Sequence, residues 1–199
     1  MLTIIAFLLL ALVEVTAAQT PVPGSSPVCA GCQATYVSVD DVQTTIKKSI
    51  ETKAADIEVI NVNAGNFDFG IAVVTRLKGK YPNGGPAHDR TAEGYYMVAG
   101  SGELVTGGEF VAGKWTRTPC IDDSGATTRG PIVPGTGVSH KMSKGDMIII
   151  PGGVSHWWKE IYEDVTYATF RPDLDKKAKL RSRADWQKIM TECKKNCGN

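Results

Sequence analysis

Between about residues 57 and 171 the chain is a succession of short apolar-rich runs broken by glycine, with side-chain polarity alternating every second position. The runs are 57–62, 68–76, 93–99, 102–107, 109–115, 138–142, 146–150, 155–161 and 164–170. Many short strands with frequent turns predict an antiparallel sandwich or barrel. Residues 116–137 interrupt the pattern as a long polar excursion, which predicts a loop. The flanks have helical spacing instead. Ser38 and Asp41 make a capping-box-like start, and Val39, Val42, Ile46 and Ile50 form an apolar stripe opposite Asp40, Gln43, Lys47 and Glu51. Ser182 and Asp185 repeat the start near the C-terminus, with Trp186, Ile189, Met190, Cys193 and Cys197 on one side.

The ends set the expected compartment. Residues 2–13 are an apolar run followed by small residues, so 1–18 reads as a secretory signal peptide, with a membrane anchor as the alternative. Residues 19–37 then form a Pro/Gly/Ser-rich leader carrying Cys29-Ala-Gly-Cys32, residues 38–172 the barrel domain with its N-terminal helix, and 173–199 a helical tail. Five cysteines fit an oxidising environment. The symmetric pairing joins Cys29 and Cys32 to Cys193 and Cys197 and leaves Cys120 free, while a redox C-x-x-C and a four-thiolate zinc site remain the other readings. The 199 residues carry 22 Lys plus Arg against 21 Asp plus Glu, a net charge of +1, and no basic stripe stands out. A nucleic-acid or membrane-surface partner is not expected once the signal is cleaved. A homodimer stays open.

The candidate chemistry lies in the three histidines. His88 stands five residues before Glu93, and His156 follows the turn Pro151-Gly152-Gly153. Strand parity puts Glu93, Tyr95 and Met97 on one face and His156, Trp158 and Glu160 on another. Two imidazoles and a carboxylate are a facial ligand set that leaves coordination positions open. Iron, manganese, nickel, zinc and copper all use such donors. The alternative is three ordinary polar residues, with His88 beside a loop, Glu93 paired to Arg90 and His156 capping a turn.

The spacing His88-x4-Glu93-x6-Gly100 resembles the second half of the first cupin motif, and Gly145-x5-Pro151-x-Gly153-x2-His156 resembles its second motif. The resemblance covers about residues 57–171. It implies an all-β fold, a single cupin jelly-roll (double-stranded β-helix) barrel with flanking N- and C-terminal helices and a divalent metal inside, held by His88, Glu93 and His156. Two positions depart from the motifs. Pro86 replaces the first of the usual two histidines, and Glu160 replaces the trailing Asn.

Around the metal, Tyr95 and His140 are the candidate proton-handling residues. His140 alternates with Val138 and Met142 and faces either the barrel interior or the rim near the long loop. Met97, Trp158 and Tyr167 read as pocket wall or plain core, and Arg76 and Arg171 as carboxylate clamps or surface ion pairs. The expected function is a secreted metal-dependent enzyme acting on a small organic molecule, an oxidoreductase of dioxygenase type ahead of an isomerase or decarboxylase. The alternative is a non-catalytic extracellular cupin that binds a small ligand or serves as a storage or surface protein.

Overall fold

Ser38 starts the first helix as its sequence requires. Its hydroxyl accepts from the Asp41 backbone N–H at 3.1 Å, and the Asp41 carboxylate accepts from the Ser38 N–H at 2.9 Å. The structure, a computed structural model, describes residues 32–81, 84–118 and 126–192. Segment 1–18 and four of the cysteines (Cys29, Cys120, Cys193 and Cys197) lie outside them. Cys32 is disulfide-bonded.

The described elements are α1 (Val39–Thr52), β1 (Asp56–Asn63), β2 (Asp68–Arg76), β3 (Gly79–Lys80), β4 (Gly85–His88), β5 (Glu93–Thr106), β6 (Thr116–Thr118), β7 (Thr127–Gly130), β8 (Val138–Ser143), β9 (Met147–Ile150), β10 (His156–Asp173) and α2 (Arg183–Glu192). They form two antiparallel sheets. The larger runs β1-β2-β10-β5-β8, with β3 on β10 and β9 on β5, and the smaller runs β4-β7-β6. Mostly antiparallel strands in two sheets with a helix at each end are the jelly-roll arrangement that the motifs imply.

Two pairs of expected strands are each one long strand. Runs 93–99 and 102–107 join as β5, and 155–161 and 164–170 join as β10. β5 passes through Gly100, at φ +79°, where a Cβ would sit 2.1 Å from the Asp164 carbonyl oxygen. Only glycine lets these two strands cross so closely. Their register shifts between Trp158 and Tyr167, the bulged region facing this bend.

Three expectations need correction. The run 109–115 is no strand: Phe110 makes one bridge to Ile132, and the Lys114 N–H closes a turn onto the Val111 carbonyl through Gly113 at φ +69°. The polar excursion 116–137 holds β6 and β7. On α1, Val39 and Ile50 are exposed, whereas Asp41, Thr45, Ser49 and Thr52 are buried. Val42 and Ile46 pack inward and Asp40, Gln43, Lys47 and Glu51 stay exposed as expected, but the buried polar residues share the inner face because they find partners there. Asp41 pairs with Arg183, Thr45 accepts from the Trp186 indole N–H at 2.9 Å, and Ser49 bonds the Ala54 carbonyl.

The main core packs Val74, Met97, Leu104, Met142, Ile150, Ile161 and Val165 with Tyr95, Trp158 and Tyr167 inside the larger sheet. A second cluster, Val59, Val73 and Trp186, seats both helices on the outer face of β1 and β2.

Candidate metal centre

The turn 151–153 brings the two motifs together. Gly153 donates its N–H to the His88 carbonyl, and β4 runs so close to the start of β10 that a Cβ on Gly85 would sit 2.2 Å from the His156 carbonyl oxygen. Glu93 opens β5 facing inward. One donor atom each from His88, Glu93 and His156 therefore falls within 4.8 Å of the others. His156 Nε2 lies 3.1 Å from Glu93 Oε2, and the two imidazole rings are 5.5 Å apart.

Hydrogen bonds fix the donors. The His156 Nδ1–H donates to the Val154 carbonyl at 3.1 Å. A carbonyl only accepts, so Nδ1 carries a proton and Nε2 is the atom turned towards Glu93. A ring nitrogen this close to a carboxylate oxygen requires a proton or a cation between them. Two ligands about 2.1 Å from one metal and at right angles to each other are themselves about 3.0 Å apart, close to the observed separation. The donor set fits a divalent metal. His88 Nδ1 meets the Thr127 hydroxyl at 3.1 Å, which leaves its Nε2 as the ligand atom. Burial holds His88 below the ordinary imidazole value, helped by the charges of His156, Arg171 and Arg129 and opposed by Glu93, so the ring is neutral near pH 7.

Glu93 is the anchor. Burial alone would raise its carboxyl, but the His156 hydrogen bond and the charges of Arg171, His156 and His88 hold it well below the usual carboxylate range. Arg171 Nε donates to Oε1 at 2.8 Å, and its other guanidinium nitrogens reach Asp56 at 2.5 and 3.3 Å. The Tyr95 hydroxyl donates to Oε2 at 2.8 Å. Burial, then the neighbouring Tyr167 and Glu93, push Tyr95 well above the ordinary phenol value, so it stays protonated.

The triad opens into a cavity of about 450 Å³. Tyr95, Trp158, Tyr167, Arg76 and Arg171 line it, and Pro86 lines it as well. Met97 and His140 do not. Met97 is fully buried in the core, and His140 Nε2 bonds the Thr106 hydroxyl across β5 and β8 at 2.9 Å. Glu160, read as sharing a face with His156, turns outward beyond the β10 bulge and pairs with Lys80. Arg90 pairs with Asp175 and not with Glu93. Sequence reasoning did not single out Asp56, Thr127 or Arg129. The latter two sit in the polar excursion, where no periodicity marked them.

No family model matches the chain, and no curated protein does. Solved structures to which it is similar are cupin-family proteins. They include the DMSP lyase DddQ from Ruegeria pomeroyi DSS-3, 16% identical over 61% of this chain and 48% of that one, with a TM-score of 0.39. Another is hydroquinone 1,2-dioxygenase from Sphingomonas sp. TTNP3 with 4-hydroxybenzoate bound, 11% identical over 59% and 65%, TM-score 0.37. A third is vicilin from Solanum lycopersicum, 14% identical over 57% and 25%, TM-score 0.34. The chain spans less than two thirds of each of these chains. No residue role follows from them.

Proposed function

We propose that the protein is a secreted, metal-dependent enzyme that transforms a small organic molecule, most simply by oxidation. One observation carries the metal reading: His156 Nε2 faces Glu93 Oε2 at 3.1 Å, with His88 completing the group. A bound divalent metal would supply Lewis acidity and open positions for substrate or dioxygen. The protein's own contributions are separate. Arg171 fixes one oxygen of Glu93 and stays cationic. Tyr95 keeps a proton at the edge of the cavity, on the other oxygen. Trp158 and Tyr167 exclude water from that side of the site.

Secretion rests on segment 1–18, and the cystine at Cys32 agrees with an oxidising compartment. Pro86, which lines the cavity where the motif would place a fourth ligand, favours the alternative of a ligand-binding barrel without turnover. Elemental analysis of the secreted protein, with oxygen uptake on phenols and small acids, separates the two. Stoichiometric iron, copper or manganese with uptake supports the enzyme. Tightly held zinc without turnover on any substrate supports the binding protein, and no bound metal at all overturns the metal reading.

A further inference from the structure

The described residues include seven arginines. Five have a carboxylate partner: Arg90 with Asp175, Arg117 with Asp89, Arg171 with Asp56 and Glu93, Arg181 with Glu58, and Arg183 with Asp41. Arg76 and Arg129 have none within ion-pairing distance among the described residues, and both line the cavity. They enter from opposite walls. Arg76 ends β2 in the larger sheet, opposite Val165, and Arg129 lies on β7 in the smaller sheet, opposite Pro86. Both keep accessible surface.

Neither is idly placed. The Arg76 charge acts on the Tyr167 hydroxyl, and the Tyr167 ring packs 4.5 Å from Tyr95, whose own hydroxyl is on Glu93. Trp158 flanks Tyr167 at 5.9 Å. An aromatic wall therefore runs from the His88–Glu93–His156 group to Arg76, a cation whose acidic neighbour Asp56 lies beyond ion-pairing distance and is itself engaged by Arg171. Arg129 stands opposite Pro86 on β4, the strand that ends at His88.

We propose that the cavity takes a small organic carboxylate, its charged end held by Arg76 with Arg129 as a second cationic contact, and its apolar body laid along Tyr95, Tyr167 and Trp158 towards the His88–Glu93–His156 group. The inference names the substrate class of the proposed site and rests on that reading. A planar guanidinium fork matches a carboxylate in two parallel hydrogen bonds. Phosphate fits less well. Neither α1 nor α2 contributes a residue to the lining, so no helix N-terminus is offered to a phosphate. The aromatic wall also asks for an apolar ligand body rather than an inorganic anion.

The test is a titration of the full-length secreted protein, metal-loaded and metal-stripped, with benzoate, benzamide and inorganic phosphate. Tryptophan fluorescence is a suitable signal because Trp157 and Trp158 line the cavity. Benzoate should bind at least about tenfold more tightly than benzamide, which has the same shape without the charge. Arg76→Gln should remove that discrimination by weakening benzoate and leaving benzamide unchanged, and Arg76→Lys should restore part of it. Equal affinity for benzoate and benzamide, or benzoate binding unaltered in Arg76→Gln, would overturn the assignment. So would phosphate displacing benzoate more tightly than benzoate itself binds. The metal reading fails on a different measurement. A wild-type protein that never takes up metal yet shows Arg76-dependent benzoate binding sustains the carboxylate site, while a fully metallated protein blind to the benzoate charge refutes it alone.

Discussion

The Gly153 backbone N–H donates to the carbonyl oxygen of His88 at 2.6 Å, so the turn that precedes one imidazole holds the backbone of the other. Two segments separated by more than sixty positions are registered by this bond before any metal is considered. Gly153 is at φ +83° with open space around its missing Cβ, so a side chain there meets backbone strain and no clash. Gly153→Ala should therefore cost about 1–2 kcal/mol, the left-handed penalty for an L-residue. Metal affinity should fall with it although no ligand has changed. Urea unfolding beside metal titration checks both, and an Ala variant with unaltered affinity would show that the bond does not position the site.

His156→Ala removes one of three donors. Only His88 and Glu93 remain, and the Glu93 carboxylate keeps Arg171 and Tyr95 as partners. Metal content after desalting should drop to background while the barrel melts cooperatively. A variant that retains full metal would sink the central reading.

Arg171 tests whether the carboxylate must be held. It bridges Glu93 and Asp56, and its side chain is only 22% exposed. Arg171→Met leaves two acids without their cation. Breaking such a partly buried pair costs about 3–5 kcal/mol, and losing the group that orients a ligand costs about 10- to 100-fold in metal affinity. Arg171→Lys should recover charge but only one of the two contacts. If Arg171→Met binds metal as tightly as wild type, the clamp is structural alone.

In the metal-free protein Glu93 should contribute to acid stability with a definite sign. Its folded value lies below its unfolded one, because the His156 hydrogen bond and Arg171 outweigh burial. The contribution is then fully present above the unfolded value of about 4.3 and is lost as pH falls from there towards the folded value. The stability gap between wild type and Glu93→Gln should be flat from pH 7 to 5 and narrow below about pH 4.3. A gap that widens on acidification would mean that the carboxyl is raised in the native state.

The strands and the convergence of His88, Glu93 and His156 were legible because each rests on local rules. The 68–76 run alternates and coincides with β2, and the glycine and proline turns beside His88 and His156 occupy fixed motif spacings. What was not legible depends on partners distant in sequence. The polar residues of β7 carry no pattern, yet Thr127 meets His88 across 39 positions. Arg171 reads like a strand-end cation until the fold sets Glu93 and Asp56 beside it. Helix α1 shows the same limit. Its apolar stripe predicted one buried face, but hydroxyls with specific acceptors and donors lie underneath.

The buried hydroxyls of α1 give the last prediction. Thr45 is fully buried, donates its hydroxyl to the Asp41 carbonyl at 2.7 Å and accepts the Trp186 indole N–H at 2.9 Å. Thr45→Val keeps the shape and removes the acceptor. The indole N–H of Trp186, itself 5% exposed, would then be buried without a partner, at a cost of about 1–3 kcal/mol. Thr45→Ser keeps the acceptor and should lose much less. Adding Trp186→Phe to Thr45→Val removes the stranded donor as well, so the double variant should be less destabilised than the two single losses added together. Urea unfolding of the four proteins closes this cycle. Strict additivity would mean that the hydrogen bond across α1 and α2 contributes nothing, and that apolar contact alone seats the helices on the sheet.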